Sequence, residues 1–159
     1  MKMLIIAFFV FTAINSSAQF KNIKWGMNKA QVIRLDSLKN PVDSGNFLTV
    51  IENDGYFNNE KIYEFEKDSL VSVAHIRQRV DKKANTEKYT VDEFKAVYSA
   101  FVNTGYGEPY KMAFGGPTYA AWKTPSHKLL IEVVYNEKDG FALRTDYIEP
   151  NSIIIGLEK

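Results

Sequence analysis

The reactive side chains of this chain are few and scattered. His75 alternates with Val71 and Val73, which places it on one face of a strand, and His127 follows a Pro125-Ser126 turn. Acid–base or metal chemistry would bring these imidazoles together with a carboxylate, and no spacing in the sequence does so. Glu132 sits between Ile131 and Val133, and Arg144 stands two strand positions from Asp146. Such carboxylates can form an acid–base pair, as in a small hydrolase, but alternation puts them on the solvent face of an antiparallel sheet. Gly116-Pro117-Thr118 lacks the flanks of a nucleophile elbow. Gly105-Tyr106-Gly107 ends a helix, so it offers no helix N-terminus to a phosphate. The chain has no cysteine, which removes thiolate metal sites, thiol nucleophiles and disulfides. The expectation is therefore no catalytic residue, no metal site and no cofactor. A small exported hydrolase using strand carboxylates or a histidine is the alternative.

Recognition is better represented than catalysis. Aromatic residues make up 14% of the chain. Phe65, Phe94, Phe101 and Tyr135 fall on periodic apolar positions and read as core. Tyr56 and Phe57 differ, because they stand in a turn between Asn53-Asp54-Gly55 and Asn58-Asn59. Tyr110, Phe114 and Trp122 form a second set around a later loop. Large rings bury much area at small entropic cost, so the candidate binding residues are Asp54, Tyr56, Phe57, Tyr110, Phe114 and Trp122.

The elements that must position them read as follows. Ile23–Val32 opens the first helix: Asn28 is the N-cap, Gln31 completes a capping box, and Met27 staples to Val32. Val32, Leu35 and Leu38 form its stripe, and Asn40-Pro41 ends it. Strands follow at Phe47–Glu52, Lys61–Glu66 and Leu70–Arg79, with Val80–Lys88 as an exposed connector. A second helix starts with Thr90 as cap and Glu93 three residues on. Its stripe is Phe94, Val97, Tyr98, Phe101 and Val102, and Gly105 closes it. Strands at Thr118–Lys123, Leu129–Tyr135 and Phe141–Glu149 complete the copy, and Ser152–Leu157 is a short edge strand or tail. The fold class expected is α+β: two helix-plus-antiparallel-sheet units, α-β-β-β twice, over about 20–79 and 89–150. Helices are expected on one face of the sheet, with a C-terminal tail at 151–159.

Bulk properties set the compartment. The chain has 159 residues, 45% hydrophobic and 25% charged, with 20 basic against 19 acidic side chains. Balanced charge gives no reason to seek nucleic acid or an anionic membrane; Lys82-Lys83 is the one local basic pair. Lys2, the apolar run Met3–Ile14 and the small residues Ser16-Ser17-Ala18 read as a cleaved export signal over residues 1–18. The run is too short to span a bilayer. The mature chain, 19–159, is expected to be a single soluble domain, periplasmic or extracellular, with no membrane span.

Trp25-Gly26-Met27-Asn28 with Gln31-Val32 resembles the helix opening of the SmpA/OmlA type of outer-membrane assembly lipoprotein. Tyr106-Gly107-Glu108-Pro109 is similar to the glycine–proline exit that follows a helix in those domains. This chain lacks the lipid-attachment cysteine of that family, so no lipid anchor is expected. The tandem arrangement resembles the β-lactamase-inhibitor-protein architecture. That resemblance implies a protein-binding module whose partner is another exported or envelope protein. It also implies that the loop Asn53–Asn59, joining the first two strands of a unit, reaches into the partner's cleft.

Overall fold

The computed structural model describes residues 22–81, 83 and 86–152. The expected signal segment, Lys82 of the basic pair and the tail beyond Ser152 lie outside the described residues.

Helix α1 spans Lys29–Leu35. The Asn28 side chain accepts from the Gln31 N–H at 2.9 Å, and the Gln31 side chain accepts from the Asn28 N–H at 2.9 Å. This is the reciprocal box expected from the sequence. The helix stops earlier than Asn40-Pro41, because Ser37 and Asn40 take left-handed conformations at φ 51° and 50°. Helix α2 spans Glu87–Phe101 and starts one turn before the expected cap. Thr86 is the true N-cap, accepting from the Tyr89 N–H at 3.3 Å. Thr90 is buried inside the first turn and donates its hydroxyl to the Thr86 carbonyl at 3.1 Å. A wider turn, Val102–Tyr106, carries the chain out of α2 and contains Gly105 at φ 105°.

The strands are β1 (Val42–Ser44), β2 (Phe47–Asn53), β3 (Phe57–Glu66), β4 (Ser69–Arg79), β5 (Lys111–Ala113), β6 (Tyr119–Lys123), β7 (Lys128–Asn136) and β8 (Gly140–Ile148). All pair antiparallel in one sheet of order β1-β2-β3-β4-β8-β7-β6-β5. This corrects the expected fold class. The body of the molecule is a single eight-stranded sheet with two α-helices among the described residues, not two helix-plus-sheet units with helices over one face. The physical reason lies in β4 and β8. Each buries consecutive residues, Val73 with Ala74 and Leu143 with Ala142, so neither has a free solvent face. They pair with each other, Val73 opposite Tyr147 and Arg77 opposite Leu143, and merge the two halves.

Register places one apolar row across six strands: Leu48, Tyr63, Val73, Tyr147, Leu129 and Trp122. All six are buried. Val32 of α1 joins the β2–β4 part of this core, and Phe94 and Phe101 of α2 join the β6–β8 part. Trp25 packs against both clusters and donates its indole N–H to the Ser126 carbonyl at 2.8 Å. The Trp25–Met27 segment is itself tied to β4, since the Gly26 N–H donates to the Leu70 carbonyl and the Leu70 N–H donates to the Met27 carbonyl.

Two substitutions check this account of α2 by urea unfolding. Phe101→Ala should cost about 3–5 kcal/mol, as for a large ring removed from a closed core. Thr86→Ala should cost about 0.5–2 kcal/mol through the lost cap. A near-neutral Phe101→Ala would remove α2 from the core.

Candidate functional site

Two polar rows lie beside the apolar one, on the same side of the sheet. Val50, Lys61, His75 and Thr145 form the first, and Glu52, Asn59, Arg77 and Leu143 form the second. Above them is a cleft of about 520 Å³. The end of α1 and the residues after it supply one wall through Asp36, Leu38 and Lys39, and α2 supplies another through Glu93, Val97 and Phe101. A cleft of this volume is the size that holds a small ligand or an inserted segment.

The floor cations are held by wall carboxylates. Lys61 Nζ lies 3.0 Å from Asp36 Oδ2, and the Tyr63 hydroxyl donates to the same carboxylate oxygen. Burial and this carboxylate push the Tyr63 hydroxyl upward in pKa. Arg77 Nε lies 3.6 Å from Glu93 Oε1, and its guanidinium stacks on the Phe57 ring at 3.9 Å from the centroid. Arg79 lies over Tyr89 at 3.7 Å. Burial raises the Glu93 pKa against the pull of Arg77 and Arg79. His75 sits between the two ion pairs. Burial, with Lys61 adding to it, lowers the His75 pKa to about 4, so its ring is neutral at pH 7.

The residues singled out in the sequence separate in space. Asp54 lines the cleft, at the turn between β2 and β3. Its Oδ1 accepts from the Tyr56 and Phe57 N–H groups at 2.9 and 2.7 Å. The slight burial of Asp54 acts to raise its pKa, but these backbone bonds outweigh it and leave the carboxyl below its ordinary value. Tyr56 is 79% exposed beside it, whereas Phe57 is 3% exposed and belongs to the interior. Trp122 is likewise interior, its indole N–H donating to the Gly107 carbonyl at 2.9 Å. Tyr110 and Phe114 are exposed and flank the short strand β5, away from the cleft lining. Tyr135, read from the sequence as core, is 63% exposed and packs on Phe141 at 4.9 Å. It lies where β7 runs on toward the Asn136–Gly140 turn.

The strand carboxylates lie on the opposite side of the sheet. Arg144 spans both oxygens of Asp146 at 2.8–3.1 Å and reaches Glu132 at 3.8 Å. Burial raises the pKa of both acids against the pull of Arg144. His127 bonds to the Tyr106 hydroxyl through Nε2 and to the Ser126 hydroxyl through Nδ1, each at 2.9 Å. Among the described residues no group of three or more histidines and acids could hold a metal ion. Among them, too, no helix is long and apolar enough to cross a membrane.

Sequence reading missed Lys61, Arg77, Asp36 and Glu93. A signal was present. Lys61 shares the strand face of Tyr63, and His75 and Arg77 share that of Val73, so charged side chains stand in register with core positions. Family models, curated proteins and solved structures give no match to this chain.

Neutral His75 gives the cleft a pH signature. The folded state binds fewer protons here than the unfolded chain between about 4 and 6.5. This contribution is therefore complete above the ordinary histidine pKa and is lost as pH falls through that window. Urea unfolding across a pH series should show stability falling by up to about 1.4 kcal/mol per pH unit from this one site. Glu93 works the other way, its raised pKa weakening the fold as pH rises above the ordinary carboxylate value. His75→Gln should flatten the acid-side slope, and an unchanged slope would place the titration elsewhere.

Proposed function

We propose that this protein is an exported, non-catalytic binding module. In this reading it recognises another exported or envelope protein through the cleft over the centre of its sheet, with the Asp54–Tyr56 turn at the rim. The observation that carries it is the placement of Lys61, His75 and Arg77 at core-facing strand positions, with Asp36 and Glu93 held against two of them over an open 520 Å³ space. Charges there cost desolvation free energy that an apolar floor would not, and such departures from core patterning concentrate at functional sites. Binding is favoured over hydrolysis because the candidate acid–base carboxylates, Glu132 and Asp146, are engaged by Arg144 and lie on the side of the sheet away from the cleft. The basic start, apolar run and small-residue exit of residues 1–18 support export.

The test is to isolate the partner from periplasm or culture medium of the source organism, purify it, and measure its affinity for variants. Tyr56→Ala should leave unfolding free energy within about 0.5 kcal/mol and weaken the partner by about 2 kcal/mol, the cost of a hot-spot ring. Unchanged affinity in both Tyr56→Ala and Glu52→Lys would move the recognition surface away from the cleft.

A further inference from the structure

The outer edge of the sheet is left incomplete along β2. β1 pairs with Phe47, Leu48 and Thr49, and among the described residues no strand lies beside the remaining stretch, Val50–Asn53. To cover it, β1 would have to start earlier, at Asn40 and Pro41. Asn40 turns the chain away at φ 50°, and proline has no N–H to add to a ladder.

Two hydrogen bonds show which backbone groups this leaves. The Asn46 carbonyl accepts from the Phe65 N–H at 2.8 Å, and the Asp54 N–H donates to the Phe57 carbonyl at 3.2 Å. Alternate residues of a strand turn their backbone groups to the same neighbour, so Leu48, Val50 and Glu52 also face β3. Phe47, Thr49, Ile51 and Asn53 face outward. Phe47 and Thr49 meet Ser44 and Val42 of β1. Ile51 and Asn53 extend past the end of β1, their N–H and C=O groups aimed at an empty strand position.

The side chains do not protect this edge. Sheet edges are commonly blunted by lysine, proline or a bulge, and the far edge of this sheet carries Lys111 on β5 and Lys123 on β6. β2 has Glu52 as its one charge. Ile51 is 67% exposed, and Val42 and Phe47 are exposed near it. Register sets all three on the side of Arg144, away from α1 and α2. Neither Ile51 nor Asn53 lines the cleft.

We propose that this overhang is a second recognition surface, independent of the cleft, which takes an extended segment of another protein as an added strand in line with β1. The segment runs antiparallel to β2, as every other neighbouring pair in the sheet does. One of its residues exchanges both N–H···O=C bonds with Ile51, and the residue two positions along does the same with Asn53. The side chain opposite Ile51 stands beside it on the face away from the helices, where a β-branched or aromatic group forms a cross-strand pair. A second copy of this chain fits less well. In a two-fold pairing of Ile51 with Asn53, each copy's β1 points end-on at the other's Asp54–Phe57 turn. A lone segment brings no such flanking strand.

The experiment uses the full chain, isotope-labelled for amide NMR, and the capped peptide Thr-Val-Thr-Val-Thr as probe. One analogue is N-methylated at both valines, the other at the second and third threonines. The parent peptide should shift the amides of Ile51, Glu52 and Asn53, slow hydrogen exchange at Ile51 and Asn53, and leave Lys61 and Arg77 in place. Methylated valines remove the inward donors and should weaken binding at least about ten-fold, whereas methylated threonines point outward and should change it by less than about two-fold. Ile51→Lys should weaken the parent peptide at least about five-fold, with the urea midpoint unchanged. Equal effects of the two methylations would overturn the added strand, and loss from the threonine analogue alone would overturn the pairing at Ile51. Shifts confined to Lys61 and Arg77, or none at all, would overturn the surface. Slowing of the Ile51 and Asn53 amides with protein concentration alone would overturn the partner by giving the edge to a second copy.

Discussion

The pairing of β4 with β8 is the contact on which the rest of this molecule depends. It joins a β1–β4 half to a β5–β8 half in one sheet and sets Val73 against Tyr147 at the middle of the core. Without it each half would be a four-stranded sheet with a long exposed edge, and a strand edge of that length is an open template for association. With it, the sheet's outermost strands are β1 and β5, each three residues long. Short edges limit pairing with other chains. The same seam fixes where the cleft lies. α1 is 7 residues long and α2 is 15, and the strands at the seam run on past the rows those helices fill. The rows that floor the cleft are Lys61–His75–Thr145 and Asn59–Arg77–Leu143, the last of these running under α2 at Leu143.

The cleft walls depend on local chemistry that is equally specific. Asp36 is the C-cap residue of α1, and stopping the helix there presents its carboxylate to Lys61 and Tyr63. Had α1 continued to Asn40, as its apolar stripe allowed, Asp36 would be a helix residue and the wall would not form in this way. The left-handed conformations at Ser37 and Asn40 are thus part of the site. On the other side, capping by Thr86 sets the start of α2. Glu93 then comes two turns into the helix, where it meets Arg77.

How much of this was legible in the sequence follows from range. Local signals read well: the Asn28–Gln31 box, the glycine exit of α2, and most strands and turns are where their residues put them. Thr86 against Thr90 shows the limit even there. Both are good caps followed three residues later by a helix-compatible side chain, and the choice is made by burial of Thr90 against the core. Global arrangement did not read. Two copies of one element order are compatible with two units or with one continuous sheet, and only the β4–β8 hydrogen bonds distinguish them. The site failed for a related reason. Phe57 and Trp122 are large rings near turns, and nothing in their local sequence separates a ring that folds inward, as these do, from one that stays in solvent, as Tyr56 does.

The charged rows themselves were readable, and their meaning turns on comparing magnitudes. Replacing a buried ion pair by apolar side chains of similar size is often neutral or stabilising, by about 1–4 kcal/mol. A sheet selected only to fold would have extended the apolar row of Leu48, Tyr63, Val73 and Tyr147 by two more rows of the same kind and closed α2 onto it. Lys61–Asp36 and Arg77–Glu93 instead occupy that space, with side chains 13–24% exposed and so largely removed from water. Each pair fixes the geometry of its neighbour: Lys61 and Tyr63 hold Asp36 from two directions, and Phe57 supports the Arg77 guanidinium from beneath. Groups held this way lose little further freedom when a ligand arrives, which is the condition under which polar contacts yield affinity. Stability alone gives no reason for that arrangement, whereas the proposed recognition role does.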